Sequence, residues 1–192
     1  MHDHHWKREV FTLPNLLSLL RLLLIPLYCS IYLRAEQQKD YILAGGILAL
    51  SCITDCFDGK IARRTNSISS VGKILDPVAD KATQFAVTFC LVQAKPLLKW
   101  LLVLFVVKEG LQALLAVIFL RWGMILPGAV PAGKISTAVF FASLVLLVLL
   151  PELPPSAVKW VARLDGGFLL LSFGAYVLAY FGANSKLENW RK

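Results

Sequence analysis

Six long apolar stretches run through the chain, at about Leu13–Leu33, Tyr41–Asp58, Ile74–Ala94, Leu97–Leu120, Ile135–Leu150 and Ala157–Phe181. Each approaches the ~20 residues that a helix needs to cross the hydrocarbon of a bilayer. Inside lipid every backbone N–H and C=O must be satisfied within the protein, so helices are the natural form for such runs. The expected fold is therefore all-α: a polytopic integral membrane protein with six transmembrane helices. The breaks at Arg34–Asp40, Arg63–Gly72, Lys95-Pro96, Trp122–Gly133 and Pro151–Pro155 all carry charge, Gly or Pro, which punctuate helices. No internal repeat or low-complexity tract appears, and the links are too short for a second domain. Residues 1–192 thus read as a single membrane domain, with 1–12 a short cytoplasmic N-terminal segment. Leu16 to Leu33 is too long for a signal-peptide core and no small-residue cleavage site follows it, so it is expected to stay as a mature helix.

Composition agrees. The chain is 57% hydrophobic and 17% charged, against about 45–50% and about 25% in soluble domains. That excludes a disordered chain and argues against a water-soluble enzyme. Lys and Arg exceed Asp and Glu by twenty to twelve, a net +8. No basic stripe interleaved with aromatics accompanies the excess, so the expected partner is the lipid bilayer and not nucleic acid. One side of the six-span reading holds Lys7, Arg8, Lys60, Arg63, Arg64, Lys73, Arg121, Lys134, Lys186, Arg191 and Lys192. The other holds Arg34, Lys39, Lys95, Lys99, Lys159 and Arg163. This eleven-to-six bias puts both termini in the cytoplasm; the expected location is the cytoplasmic (inner) membrane. Cys29, Cys52, Cys56 and Cys90 form no CxxC pair, and His2, His4 and His5 sit together in the N-terminal tail. Neither a zinc site nor a disulfide framework is indicated.

Charges inside the apolar segments carry the chemical information, because each costs about 2.5–3.5 kcal/mol on insertion scales. They are Arg21, Lys81 and Lys108 among the bases, with Asp55, Asp58, Asp76, Asp80 and Glu109 among the acids. Lys108 beside Glu109 can be a structural ion pair. Four aspartates within twenty-six positions have too few neighbouring cations for that explanation.

Those aspartates stand in Thr54-Asp55-Cys56-Phe57-Asp58-Gly59-Lys60-Ile61-Ala62-Arg63 and Gly72-Lys73-Ile74-Leu75-Asp76-Pro77-Val78-Ala79-Asp80. Asp55 and Asp58 are three apart and Asp76 and Asp80 four apart, so each pair shares one helix face. A short connection makes the two helices antiparallel neighbours, whose inward faces can gather four carboxylates near the cytoplasmic edge. Four such groups repel and cannot all stay ionised unaided. Two divalent cations would neutralise them, and all-oxygen ligation favours Mg²⁺, Mn²⁺ or Ca²⁺ over zinc. Mg²⁺ is commonly completed by substrate phosphates, which points to a phosphate or diphosphate substrate. Gly59 and Ala62 leave room for a ligand against the backbone, and Arg63 and Lys73 offer cations to phosphate oxygens.

The spacing Asp-x2-Asp-Gly-x2-Ala-Arg-x8-Gly-x3-Asp-x3-Asp resembles the signature of the CDP-alcohol phosphotransferase (phosphatidyltransferase) family. All eight fixed positions match: Asp55, Asp58, Gly59, Ala62, Arg63, Gly72, Asp76 and Asp80. The resemblance covers essentially the whole chain and implies that family's six-helix fold. It also implies transfer of a phosphatidyl group from a CDP-linked lipid to an alcohol, with release of CMP. By the family pattern Asp55, Asp58, Asp76 and Asp80 hold two ions, Mg²⁺ or Mn²⁺, and Asp80 is the general base for the acceptor hydroxyl. Gly59, Ala62 and Arg63, joined by Gly72 and Lys73, would line the CDP site. The opening helix, Leu13 to Pro26, and Gly72 to Lys81 are most similar to the phosphatidylglycerophosphate synthases. CDP-diacylglycerol and glycerol-3-phosphate are then the implied substrates, in phospholipid biosynthesis. Lys134, Lys108, Lys81 and Arg121 are the cations available to the acceptor phosphate, with Lys134 best placed. Relatives with this activity usually carry Arg-Glu where this chain has Lys108-Glu109, so a cardiolipin synthase or another acceptor is the alternative. A membrane prenyltransferase and a transporter are remoter readings, since neither explains Gly59, Ala62 and Arg63 at fixed spacing. A homodimer is compatible with the family.

Overall fold

A computed structural model describes residues 13–65, 72–121 and 130–191, and no strand occurs among them. Six long helices follow one another: α1 Leu13–Leu33, α2 Gln38–Thr65, α3 Gly72–Ala94, α4 Lys99–Arg121, α5 Pro131–Leu149 and α6 Pro155–Arg191. A single 3-10 turn, Pro96–Leu98, leads into α4. Four of these contain stretches long and apolar enough to cross a membrane: Asn15–Leu33, Pro96–Arg121, Pro131–Leu149 and Pro155–Gly182. The outward surface matches them, with Leu23, Val103, Leu171 and Leu178 all exposed. Such an apolar exterior belongs to an integral membrane protein.

Helix ends depart from the expected breaks for local reasons. Residues 38–40, expected in a link, already form the first turn of α2. There the Asp40 carboxylate accepts the backbone N–H of Gln37 at 3.0 Å and of Glu36 at 3.2 Å. These are donors that a helix start otherwise leaves without partners. The two bonds hold the Asp40 carboxyl below its ordinary range, Gln37 contributing most. At its far end α2 continues through Arg63 and Arg64 to Thr65. Pro131 and Pro155 each begin a helix, where the missing N–H costs nothing and the fixed φ suits the first turn.

The chain divides into two compact units. In the first, which takes in α1, α2, α3 and the end of α5, α1 packs on both α2 and α3. Its interior includes Tyr28, Tyr32, Ala44, Leu48, Ala79, Val87 and Leu91. Tyr32 stacks on Tyr28 (ring centroids 5.7 Å apart) and meets Tyr41 edge-on at 5.6 Å. Gly45 lets the Leu149 side chain approach so closely that a Cβ would collide with it.

The second unit holds α4, α5 as far as Leu144, and α6. Phe105 stacks on Phe140 at 5.2 Å, and Phe119 packs on Tyr180 at 5.0 Å. A Cβ added at Gly166 would lie 2.8 Å from the Trp100 ring, and one at Gly133 2.6 Å from the Tyr176 ring. These glycines permit close contacts with bulky rings.

Candidate active site

Within the apolar sequence of α1, Asn15, Ser18 and Arg21 recur every third residue and therefore share a face. All three are buried. Polar side chains at such positions need partners, and α3 supplies them. Ser18 Oγ donates to Asp76 Oδ1, and Arg21 Nη1 donates to Asp80 Oδ1 in a salt bridge. Two donors three residues apart on α1 thus meet two carboxylates four residues apart on α3, one helical turn in each case. Arg21 is 2% exposed and Asp80 38% exposed. The guanidinium therefore sits behind a carboxylate that remains open to a reactant. Beside Arg21 lies a small cavity of about 10 Å³, lined by Tyr28, Ser51, Thr83 and apolar side chains of α1, α2 and α3.

Of the sequence-derived residues, Asp76 and Asp80 are thereby brought side by side. Asp55, Asp58, Gly59, Ala62 and Arg63 fall on α2, and Gly72 and Lys73 open α3. The side chains of residues 53–65 and 72–74 lie outside the described residues, and the expected gathering of four carboxylates rests partly on them. Because α2 is unbroken helix there, positions 55 and 58 stand about one turn apart. Among the described residues no three metal-capable side chains cluster. The tail histidines and Cys56 also lie outside the described set, and Cys29, Cys52 and Cys90 form no disulfide.

The four acceptor-phosphate candidates are divided between the two units. Lys81 is half-buried on α3, in the first unit, immediately after Asp80. The other three belong to the second unit. Lys108 is buried, with Nζ 2.8 Å from Glu109 Oε1 and 6.0 Å from the Tyr176 ring centroid. Arg121 is exposed at the end of α4, and Lys134 is exposed in the first turn of α5. Lys108 is thus engaged in the structural pair that its neighbour Glu109 suggests.

Ser18 and Arg21 were not among the expected site residues, although polar side chains every third position along an apolar helix signal a partner. Asp165 is absent from the intramembrane acids singled out above. It is fully buried in the second unit, accepts from Ser143 Oγ at 2.8 Å through Oδ1, and among the described residues its Oδ2 has no hydrogen-bond partner.

Two carboxylates of α3, each met by a buried donor of the membrane-length helix α1, form a polar, acidic cluster. The chain belongs to the CDP-alcohol phosphatidyltransferase family, whose model matches residues 11–178. All eight motif positions fall inside that match. A "Cardiolipin synthase (CMP-forming)" of Streptomyces coelicolor is 34% identical over 164 residues, covering 83% of this chain and 73% of the relative. A "Probable phosphatidylglycerophosphate synthase" of Mycobacterium tuberculosis is 32% identical over 169 residues, covering 85% and 78%. A "CDP-diacylglycerol--glycerol-3-phosphate 3-phosphatidyltransferase" of Pseudomonas fluorescens is 32% identical over 165 residues, covering 84% and 83%.

Proposed function

We propose that the protein transfers the phosphatidyl group of CDP-diacylglycerol to glycerol-3-phosphate, releasing CMP, as a step of phospholipid biosynthesis. The observation that carries this reading is the eight-position aspartate motif within the family match, with Asp76 and Asp80 each anchored by a donor on α1. Relatives bearing that activity's name cover most of the chain.

In this reading Asp80 takes the proton of the glycerol-3-phosphate hydroxyl, and the resulting oxygen attacks the phosphorus that carries diacylglycerol. The bond from that phosphorus to the oxygen of the CMP phosphate breaks, and CMP leaves. Ser18 and Arg21 orient the two α3 carboxylates, so that their geometry is set before substrate arrives. Gly59, Ala62, Arg63, Gly72 and Lys73 contact the CDP moiety. The oxygens of Asp55, Asp58, Asp76 and Asp80 are a donor set suited to two Mg²⁺ or Mn²⁺ ions. When bound, those ions supply positive charge against the diphosphate and the departing CMP. Lys134, exposed where α5 begins, binds the acceptor phosphate, with Lys81 and Arg121 as further cations.

The whole chain acts as one membrane domain, α2 and α3 completing six spans. The eleven-to-six bias in Lys and Arg supports both termini and the carboxylates at the cytoplasmic face of the inner membrane. A second reading, transfer to phosphatidylglycerol to form cardiolipin, is favoured by the Streptomyces relative and by the engagement of Lys108 with Glu109. An acceptor panel separates the two. With CDP-diacylglycerol as donor, glycerol-3-phosphate should yield phosphatidylglycerophosphate, while phosphatidylglycerol, inositol phosphate and serine yield nothing. Product from phosphatidylglycerol alone would establish the second reading instead.

A further inference from the structure

An open groove of about 650 Å³ runs along α6 in the second unit, between Trp160 and Leu171, with Ser143 of α5 on its wall. We propose that this groove binds one anionic phospholipid, its phosphate on Arg163 and an acyl chain along Leu164, Gly167, Phe168 and Leu171.

The dimensions support this occupant. Eleven residues separate Trp160 from Leu171, which is about 16 Å of helix at ~1.5 Å per residue. Half of the ~30 Å hydrocarbon core is ~15 Å, so the groove is as long as one leaflet is deep. The segment belongs to Pro155–Gly182, long and apolar enough to cross a membrane, so acyl chains are its natural surroundings. Midway along, nothing lies within 4 Å of where a Gly167 Cβ would be, and the groove floor is open there.

Only one end of the groove is charged. The Arg163 guanidinium lies 5.3 Å from the Trp160 ring centroid. Helical side chains lean toward the N-terminus, which carries this charge back to the level of Trp160, a residue type favoured at the membrane interface. Among the described residues no carboxylate forms a salt bridge with Arg163. Asp165, two residues on, is buried and bonded to Ser143. Lys159 is exposed one turn earlier and adds a second positive charge. A guanidinium stacked on an aromatic ring and lacking a carboxylate offers its donor fork to phosphate oxygens. A zwitterionic lipid brings its own cation toward Arg163 and Lys159 and binds less well, so charge complementarity selects the anionic class.

Native mass spectrometry of the detergent-solubilised full chain tests this, using phosphatidylglycerol and phosphatidylcholine of identical acyl chains in equal amounts. Wild type should retain phosphatidylglycerol over phosphatidylcholine by about tenfold, the discrimination of one charge-assisted contact. Arg163→Gln should bring that ratio close to one while CMP release from CDP-diacylglycerol stays at the wild-type rate. Gly167→Phe, which fills the open floor and keeps Arg163, should reduce phosphatidylglycerol retention with no loss of folding. Equal retention of the two lipids by wild type, or an unchanged ratio in Arg163→Gln, would overturn the proposal. A Leu171→Cys variant that cross-links to a second copy would also overturn it, because another chain would then occupy the groove.

Discussion

Removing Arg21 is the sharpest perturbation of the site. Arg21→Ala withdraws the guanidinium that forms a salt bridge with Asp80. When both partners are fully buried, deleting one costs about 3–5 kcal/mol. For exposed pairs the value is about 0–1 kcal/mol. Arg21 is 2% exposed but Asp80 is 38% exposed, so the carboxylate can partly rehydrate, and about 2 kcal/mol is the reasonable figure between those limits. For a chain of this size each kcal/mol moves Tm by roughly 2–4 °C, giving a fall of roughly 4–8 °C. Catalysis should suffer separately, because the proposed base loses a charge-assisted hydrogen bond of about 1.5–3 kcal/mol. At 1.36 kcal/mol per factor of ten, kcat should drop roughly 10- to 160-fold. The assay is CMP release at saturating CDP-diacylglycerol and glycerol-3-phosphate, with thermal unfolding followed on the same preparation. Arg21→Lys, which keeps the charge and loses the fork, should fall between wild type and Arg21→Ala in both measurements. An Arg21→Ala protein with wild-type kcat would refute the positioning of Asp80 by Arg21, whatever its Tm.

Other expectations follow from the same structure. Asp80→Asn should abolish turnover while donor binding, measured by CDP-diacylglycerol titration, persists; wild-type-like turnover would remove Asp80 from the chemistry. Lys134→Ala should raise the KM for glycerol-3-phosphate far more than that for CDP-diacylglycerol, as initial-rate kinetics in each substrate will show. Asp40→Ala should lower Tm at pH 7. Because the native Asp40 carboxyl sits below its ordinary range, its contribution is complete above the unfolded value of ~3.9 and is lost as pH falls through the depressed native value. The Tm gap between Asp40→Ala and wild type should therefore hold down to about pH 5 and close at lower pH.

Much of the helical layout is legible in the sequence because long apolar runs favour helices, although only four of the six described helices contain a stretch long and apolar enough to cross a membrane. Helix ends are less legible, since a charge marks the membrane boundary and not the end of a helix. Arg63 and Arg64 look like a link but continue α2, arginine being a good helix former. Asp40 looks like loop and instead caps the start of the same helix. The pairing of Asp76 and Asp80 on one face follows directly from their spacing. Their anchors do not, because Ser18 and Arg21 lie fifty-eight and fifty-nine residues away and only packing of α1 on α3 brings them together. The i, i+3, i+6 polar row shows that α1 has a partner without showing which one. Asp165 is concealed differently: a lone carboxyl in an apolar run, its partner Ser143 lies on the preceding helix. Lys108 and Glu109 form the pair that their adjacency suggests.

The most direct test of the proposed transfer is CMP production from CDP-diacylglycerol by the purified protein with Mg²⁺ or Mn²⁺, with and without glycerol-3-phosphate, and with the lipid product identified by mass spectrometry. The expected result is one CMP and one phosphatidylglycerophosphate per turnover, dependent on both the acceptor and the divalent ion. CMP release that is indifferent to every alcohol supplied, or no release with any of them, would contradict a phosphatidyltransferase built on Asp55, Asp58, Asp76 and Asp80.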